Sequence, residues 1–425
     1  QLPTYGRWLT ALGALFALDL LCYLPFTAEA FSDRAVAEEA EAAPRRRHLL
    51  FVALFALGVA LWLAPLPYGA LCGSALLFPL FRHFYINTRW TSIRRGGGAP
   101  GFMSHFTVRT VLLLELLRAT DPAGATLRLA LTAVRWDLGW IMTCAGAYKL
   151  LVGYLRRQGM EYGHVNPLWG YHFRRLSHGA PQGFTPHLLN HLGCLVELAA
   201  GVLMLLPWPT AQVLGALAIS GSFLYVGLNI RLGRLAALMV ILPLCYFPNV
   251  EVTALASARP LLAAPPALLF VLRCGIWAFM LVLPLVKFMQ YLNLFANRTL
   301  PEPLQGGLTR FANWAPIIIW RVFTPDVTNF YVRIYGCAED GVTLHTLVDE
   351  ETYSLRGFLA PPRQVLFKLR MLHVTESIAL TSVFTTRRYF PSDYGLFARK
   401  LHAYGASLQR GYGRIVNIAS VHGLV

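Results

Sequence analysis

Apolar runs alternate with short polar or glycine- and proline-containing segments along most of the chain. The runs fall at 8–27, 48–66, 68–85, 103–118, 126–155, 186–206, 209–229, 234–248 and 266–293. Set against the roughly 20 residues that a helix needs to cross hydrocarbon, they predict about nine transmembrane helices. After these runs the pattern changes. Residues 308–323 read as an interfacial helix, with Trp314 and Trp320 as anchors and Arg310 and Arg321 as lipid-facing charges. Asn329 to Tyr335 alternates like a strand, Glu339-Asp340-Gly341 gives a turn, and Val342 to Leu355 returns as a second strand or pair of strands. Two helices are expected beyond it, the second capped by Ser392-Asp393 behind Pro391. The expected fold is an all-α polytopic membrane protein over residues 1–307, followed by the interfacial helix and a small α+β extramembrane region at 324–425. That region, about 100 residues long, is small for an independent domain and is expected to lean on the membrane part.

Composition sharpens this picture. The 425 residues are 56% hydrophobic and 14% charged, against roughly 25% charged in soluble domains. Lys and Arg total 37 against 21 Asp and Glu. In a membrane protein such an excess marks loops on the negative side and contact with anionic lipid. No helix-turn-helix or zinc-finger spacing supports nucleic acid as a partner. The seven cysteines form no C-x-x-C pair, and six lie in apolar runs, so they read as buried thiols acting as small hydrophobes. The first apolar run is long enough to span and has no small-residue cleavage site after it, so it is expected to be kept as a span.

Loop charge predicts the orientation. Arg34, Arg45, Arg46, Arg47, Arg89, Arg94, Arg95, Arg156, Arg157, Arg174, Arg175, Arg231 and Arg234 all fall after odd-numbered runs. The even loops hold almost none, Arg259 being the exception. By the positive-inside rule the odd side is cytoplasmic (or matrix or stromal), and the C-terminal region follows the ninth run onto that side.

Ionisable groups are densest between Arg135 and Pro207. Arg135 and Asp137 open the stretch, an apolar helix ends in Ala145-Gly146-Ala147-Tyr148-Lys149-Leu150, and a basic, aromatic loop carries His164, Trp169, Tyr171, His172 and His178. The next apolar helix holds His187, His191 and Glu197. Charges in hydrocarbon are costly and need partners or a task. The expectation is that Arg135, Asp137, Lys149, His191 and Glu197 converge inside the bundle. Lys149 reads either as a snorkelling interfacial lysine or as a buried, desolvated base able to act on a quinol or an acidic C–H. His187, His191 and Cys194 share a helix face, which could form a metal edge but has no fourth ligand in view, so no metal site is expected. Interhelical hydrogen bonding is the plainer role, with Glu197 facing Arg135 or Lys149. Asp19, Glu115 and Arg273 read as interhelical partners of the same kind. The 160–187 loop could cover a ligand pocket, to which Trp169 and His172 would contribute, or lie flat on headgroups.

The segment Ala145-Gly146-Ala147-Tyr148-Lys149-Leu150, the loop after it, His191-Leu192-Gly193-Cys194-Leu195-Val196-Glu197-Leu198 and Trp320-Arg321-Val322-Phe323 together resemble the HTTM membrane domain of vitamin K-dependent gamma-carboxylases, their bacterial relatives and lipase maturation factors. The similarity covers residues 100–325. In the carboxylases the matching lysine is the base that deprotonates vitamin K hydroquinone, and Lys149 stands at that position. The large lumenal β-rich region that docks the propeptide is missing, and the loop after this helix is lumenal there but inside here by arginine count. The resemblance therefore implies a quinone- or lipid-binding membrane bundle that is not a glutamate carboxylase.

Gly413 to Val425 resembles the strand of short-chain dehydrogenases that carries their catalytic serine, with Ser420 at that place. No glycine-rich fingerprint in a βαβ setting precedes it and no Tyr-x-x-x-Lys follows, so it reads as a tail and not an active site. Three function classes remain open: an enzyme or binder acting on a quinone- or lipid-like ligand, with Lys149 as base; a non-catalytic accessory subunit or assembly factor of a larger membrane complex; and, last, a transporter, for which no inverted repeat is visible. The expected partners are membrane lipids and other membrane subunits.

Overall fold

Proline and glycine end most of the apolar runs, and helices fill the spaces between them. The computed structural model describes residues 3–38, 43–82, 99–151, 184–229, 234–257, 261–295, 300–315, 317, 330–337, 344–346 and 418–422. The helices are α1 (Tyr5–Glu38), α2 (Ala43–Leu63), α3 (Gly69–Phe81), α4 (Ala99–Thr120), α5 (Ala125–Leu151), α6 (Phe184–Leu205) and α7 (Pro209–Asn229). They continue with α8 (Arg234–Ile241), a 3₁₀ turn at Leu242–Tyr246, α9 (Pro248–Ala256), α10 (Pro266–Phe295) and α11 (Glu302–Trp314). Each of the nine apolar runs is thus helical over most of its described residues.

Among the described residues two helices, Pro209–Asn229 and the Pro266–Tyr291 part of α10, are long and apolar enough to cross a membrane. The pair Leu235–Tyr246 and Pro248–Ala256 makes a third when counted as one span, although it bends by 74°. The expected straight run at 234–248 is therefore broken. Pro243 and Pro248 lack the N–H that an α-helical ladder needs, so the chain tightens to 3₁₀ and turns. The helix expected at 308–323 runs instead from Glu302 behind Pro301 to Trp314, and most of the residues from 316 to 329 lie outside the described part.

From α1 to α8, successive helices pack antiparallel. The Trp62 indole of α2 donates to the Leu9 carbonyl of α1, and the Phe16 and Trp62 rings meet at 5.7 Å. Gly58 and Gly73 let α2 and α3 approach until their backbones nearly touch. One end of the bundle collects the chain near residues 3–5, 67, 118–121, 249–257 and 261–262. There Tyr5 N donates to Thr253 Oγ1, Arg118 donates to the Pro67 and Ser257 carbonyls, and Leu261 N donates to the Ala119 carbonyl. Glu115 pairs with Arg118 of its own helix at 2.7 Å and accepts from the Tyr5 hydroxyl. The helix ends at Arg82, Ala99, Leu151, Phe184 and Asn229 follow at the opposite end.

Asp121 starts α5. Its Oδ2 accepts from Thr126 N and Leu127 N, and Gly124 takes φ +67 in the turn between them. From this cap α5 runs 27 residues, about 40 Å, to the far end of the bundle. α10 lies beside it in the same direction: Arg273 bonds Thr126, Trp136 bonds the Met280 carbonyl, and Tyr291 bonds the Cys144 carbonyl.

The core is apolar and aromatic, with Trp8, Phe16, Phe55, Phe81 and Phe106 buried. The outer surface is also apolar. Along α10, Leu281 is 75% exposed, and Phe270, Val271, Trp277, Leu285 and Phe288 also face outward. Contiguous exposed apolar surface of this kind suits hydrocarbon and not water. The thiols divide between these surfaces: Cys194 and Cys245 are buried, whereas Cys72 and Cys274 are exposed, which corrects the expectation of uniformly buried cysteines.

Three short strands complete the described chain. β1 (Phe330–Cys337) pairs antiparallel with β2 (Leu344–Thr346), as the alternation at 329–335 and the turn at 339–341 imply. β3 (Ile418–His422) pairs antiparallel on the other edge of β1, with Ser420 opposite Val332. The order is β2-β1-β3. An antiparallel place in a three-stranded sheet is not the parallel setting in which a dinucleotide-binding strand works. The two helices expected in the tail lie outside the described residues.

Candidate functional site

The charged residues of α5 separate by helical geometry. Arg135 and Asp137 are two positions apart and point about 200° away from each other. Lys149 lies twelve residues beyond Asp137, about 18 Å along the axis. The expected convergence of Arg135, Asp137, Lys149 and Glu197 is thus corrected to three separate ionic centres, while the side chain of His191 lies outside the described part.

The first joins α5 to α6. Lys149 Nζ lies 2.7 Å from Glu197 Oε1, and both side chains are buried, 2% and 6% exposed. The two helices cross tightly beneath the pair. A Cβ at Gly146 would meet Leu198 N at 2.5 Å, and one at Gly201 would meet Thr143 N and Met142. Cys194 Sγ reaches the Gly146 carbonyl at 3.8 Å. Small residues let the backbones close, and closure excludes solvent from the pair above them. Glu197 Oε2 is buried and has no hydrogen-bond partner among the described residues.

The second centre joins α4, α5 and α10. Asp137 is fully buried and accepts from Arg109 Nη2 at 3.1 Å. Its other oxygen lies 3.9 Å from Lys287 Nζ, and Lys287 is 1% exposed. Arg109 also donates to the Ala315 carbonyl and sits over the Phe106 ring, which ties residues just past α11 to the bundle.

The third centre joins α5 to α9 at the end opposite Lys149. Arg135 Nη1 lies 2.7 Å from Glu251 Oε2, and its Nε donates to the Cys245 carbonyl. The Tyr246 hydroxyl donates to the Arg135 carbonyl. This pair is more open, at 13% and 26% exposure.

His187 and His191 lie on the described backbone of α6, but their side chains lie outside the described part, as do Trp169 and His172 altogether. Among the described residues no three His, Cys, Asp or Glu side chains gather in a way that could hold a metal ion. Arg109, Glu251 and Lys287 were not singled out from the sequence. The available signal was that Asp137 has no opposite charge three or four positions away, and neither do Arg109 and Lys287 inside two other apolar runs.

No protein-family model, no curated protein and no solved structure matches the chain.

Proposed function

We propose that the chain is a multi-pass integral membrane protein of nine crossings that serves as a non-catalytic component of a larger membrane assembly. The Lys149–Glu197 pair carries this reading. A base that works on a quinol or lipid needs an approach for its substrate. Lys149 instead donates to a carboxylate at 2.7 Å, buried on both sides, above a helix crossing closed by glycines. A buried pair of this kind fixes the register of two helices. The outward face of α10 supports the assembly role, because it offers a long apolar surface to lipid or to a helix of another subunit.

The nine crossings are supported by the helical runs and by the arginines that cluster after the apolar runs at 8–27, 68–85, 126–155 and 209–229. In this reading the α5–α6 pair is the centre of an HTTM-like bundle that keeps the architecture of the gamma-carboxylase group without its reaction. The arginine-rich side, with residues 324–425, faces the cytoplasm, matrix or stroma.

One observation favours a second reading, a quinone- or lipid-like ligand held near Lys149. Glu197 Oε2 is a buried acceptor without a partner among the described residues, near the Leu151 end of α5, after which the sequence continues to Trp169 and His172.

Native mass spectrometry of the chain released from its own membrane in mild detergent separates the two. The assembly reading expects masses well above the 47.3 kDa chain, from other polypeptides held with it. A chain that leaves the membrane alone, carrying stoichiometric quinone or lipid, would overturn that reading in favour of the ligand.

A further inference from the structure

α11 changes character along its axis. Its first turns carry Glu302, Gln305, Gly306 and Gly307, and Pro303, Leu304 and Gln305 are exposed. At its other end Ala312 is buried, as are Ala315 and Ile317 just beyond it. These three pack in one cluster with Leu283 and Val286 of α10, bordered by Trp136, Trp140 and Phe279. Leu283 and Val286 lie about 14–18 Å back along α10 from its end at Phe295. After leaving α10 the chain has therefore turned and re-entered the height of the bundle.

The far end of α11 is also finished as a buried helix end. The last carbonyls of a helix have no partner within it, and hydrocarbon supplies no water in their place. Here Ala315 N donates to the Phe311 carbonyl and Ile317 N folds back to the Ala312 carbonyl. The Ala315 carbonyl accepts from Arg109 Nη1 at 2.6 Å. Arg109 stands at the middle of α4, and its Nη2 donates to Asp137 at the middle of α5. The guanidinium lies over the Phe106 ring of α4 and near the Phe279 ring of α10. One planar, forked cation thus ties the end of α11 to the interior of the bundle, far from the ends of its helices.

We propose that residues 302–317 form a re-entrant half-helix, which dips into the membrane from the arginine-rich side and ends on Arg109. This rests on the nine-crossing reading of the membrane part. Composition sets the direction, because Glu302 and Gln305 belong among headgroups and the apolar end belongs in hydrocarbon. Arg310 Nε donates to the Gly306 carbonyl, one turn back toward the start, as a cation reaching for the headgroups does. The fold-back at Ile317 and the charge of Arg321 beyond it return the chain to the side it came from. The half-helix also has an electrostatic task. Arg109 and Lys287 bring two cations to the one carboxylate of Asp137, and the partial negative charge at the carbonyl end of α11 offsets part of that excess.

Nitroxide depth measurements on the full chain in nanodiscs test this, using Leu281→Cys, Leu304→Cys and Phe311→Cys one at a time in a background free of native cysteines. Leu304 and Phe311 are two turns apart on one face of α11, and both are exposed. The label at Phe311 should sit about 10 Å deeper than the label at Leu304. Equal depths would make α11 a helix lying flat on the membrane and would overturn the proposal. The label at Leu281, outward on α10, should be deep; a shallow one would overturn the nine-crossing reading and the half-helix with it. Arg109→Lys keeps the charge but loses the fork, so it should move the Phe311 label several ångströms toward the headgroups while Leu281 stays in place. An unchanged Phe311 depth in folded Arg109→Lys protein would overturn the role given to Arg109. Maleimide reaction of Leu304→Cys and Ser392→Cys from opposite sides of sealed vesicles would make the segment a tenth crossing and overturn the proposal equally.

Discussion

Lys149 Nζ lies 2.7 Å from Glu197 Oε1, and the two side chains are the only contact of opposite charge between α5 and α6 among the described residues. Removing one partner of a buried pair strands the other charge, which costs about 3–5 kcal/mol. Lys149→Ala and Glu197→Ala are each expected to lower unfolding stability by that amount, read from detergent-denaturation midpoints. A loss below about 1 kcal/mol, the range of a solvated surface pair, would show that water reaches the site.

The glycines beneath this pair are expected to be as sensitive as the charges. A methyl group at Gly201 would press on the Thr143 backbone, and one at Gly146 on the Leu198 backbone. Neither backbone can move without opening the crossing, so Gly201→Ala and Gly146→Ala should cost about 1–3 kcal/mol. Gly221 in α7 has open space where its Cβ would stand. Gly221→Ala should be neutral or stabilise by up to about 1 kcal/mol through lower unfolded-state entropy. Thermal shifts of the three variants in one detergent give the comparison.

Burial also ranks the other two ionic centres. Asp137→Asn leaves Arg109 and Lys287 facing each other in the core and is expected to destabilise by about 3–5 kcal/mol. Glu251→Gln removes a pair that is 13% and 26% exposed and should cost about 1 kcal/mol or less. Its effect should shrink further in high salt, whereas the Asp137→Asn loss should not. Equal losses for the two variants would contradict the burial assigned here.

The crossing pattern makes a direct prediction. In a background with the native cysteines replaced, Ser92→Cys, Ser177→Cys and Ser392→Cys should react with an impermeant maleimide from the arginine-rich side of sealed vesicles. Ser257→Cys should react only from the other side, where Arg118 meets the Ser257 carbonyl. Reaction of Ser177→Cys and Ser392→Cys from opposite sides would refute the nine-crossing topology.

The sequence carried the helix positions well, because apolar length is set locally and proline and glycine mark its limits. The break near Pro243 was written in the residues too, but a short apolar run with a proline near its end also reads as one span. Partner choice was less legible. Glu197 had two candidate partners in Arg135 and Lys149, and only the α5–α6 crossing assigns it to Lys149. Arg135 turns away to Glu251, which the sequence places just past an apolar run and therefore outside the bundle. Asp137 finds Arg109 and Lys287, 28 and 150 positions away in the chain. Pairings of that kind depend on tertiary packing, which hydropathy does not encode.

The most direct test of the central claim replaces both charges at once. In Lys149→Met/Glu197→Leu the two apolar side chains can fill the space of the buried pair without leaving a charge behind, an exchange that is commonly neutral or stabilising. The variant is expressed in the native membrane, and the mass and activity of the assembly that contains it are measured against wild type. If the pair is a clamp in a non-catalytic component, stability, assembly and activity should all be retained. A variant that folds and assembles normally but has lost quinone or lipid turnover would contradict the account and give Lys149 a chemical role.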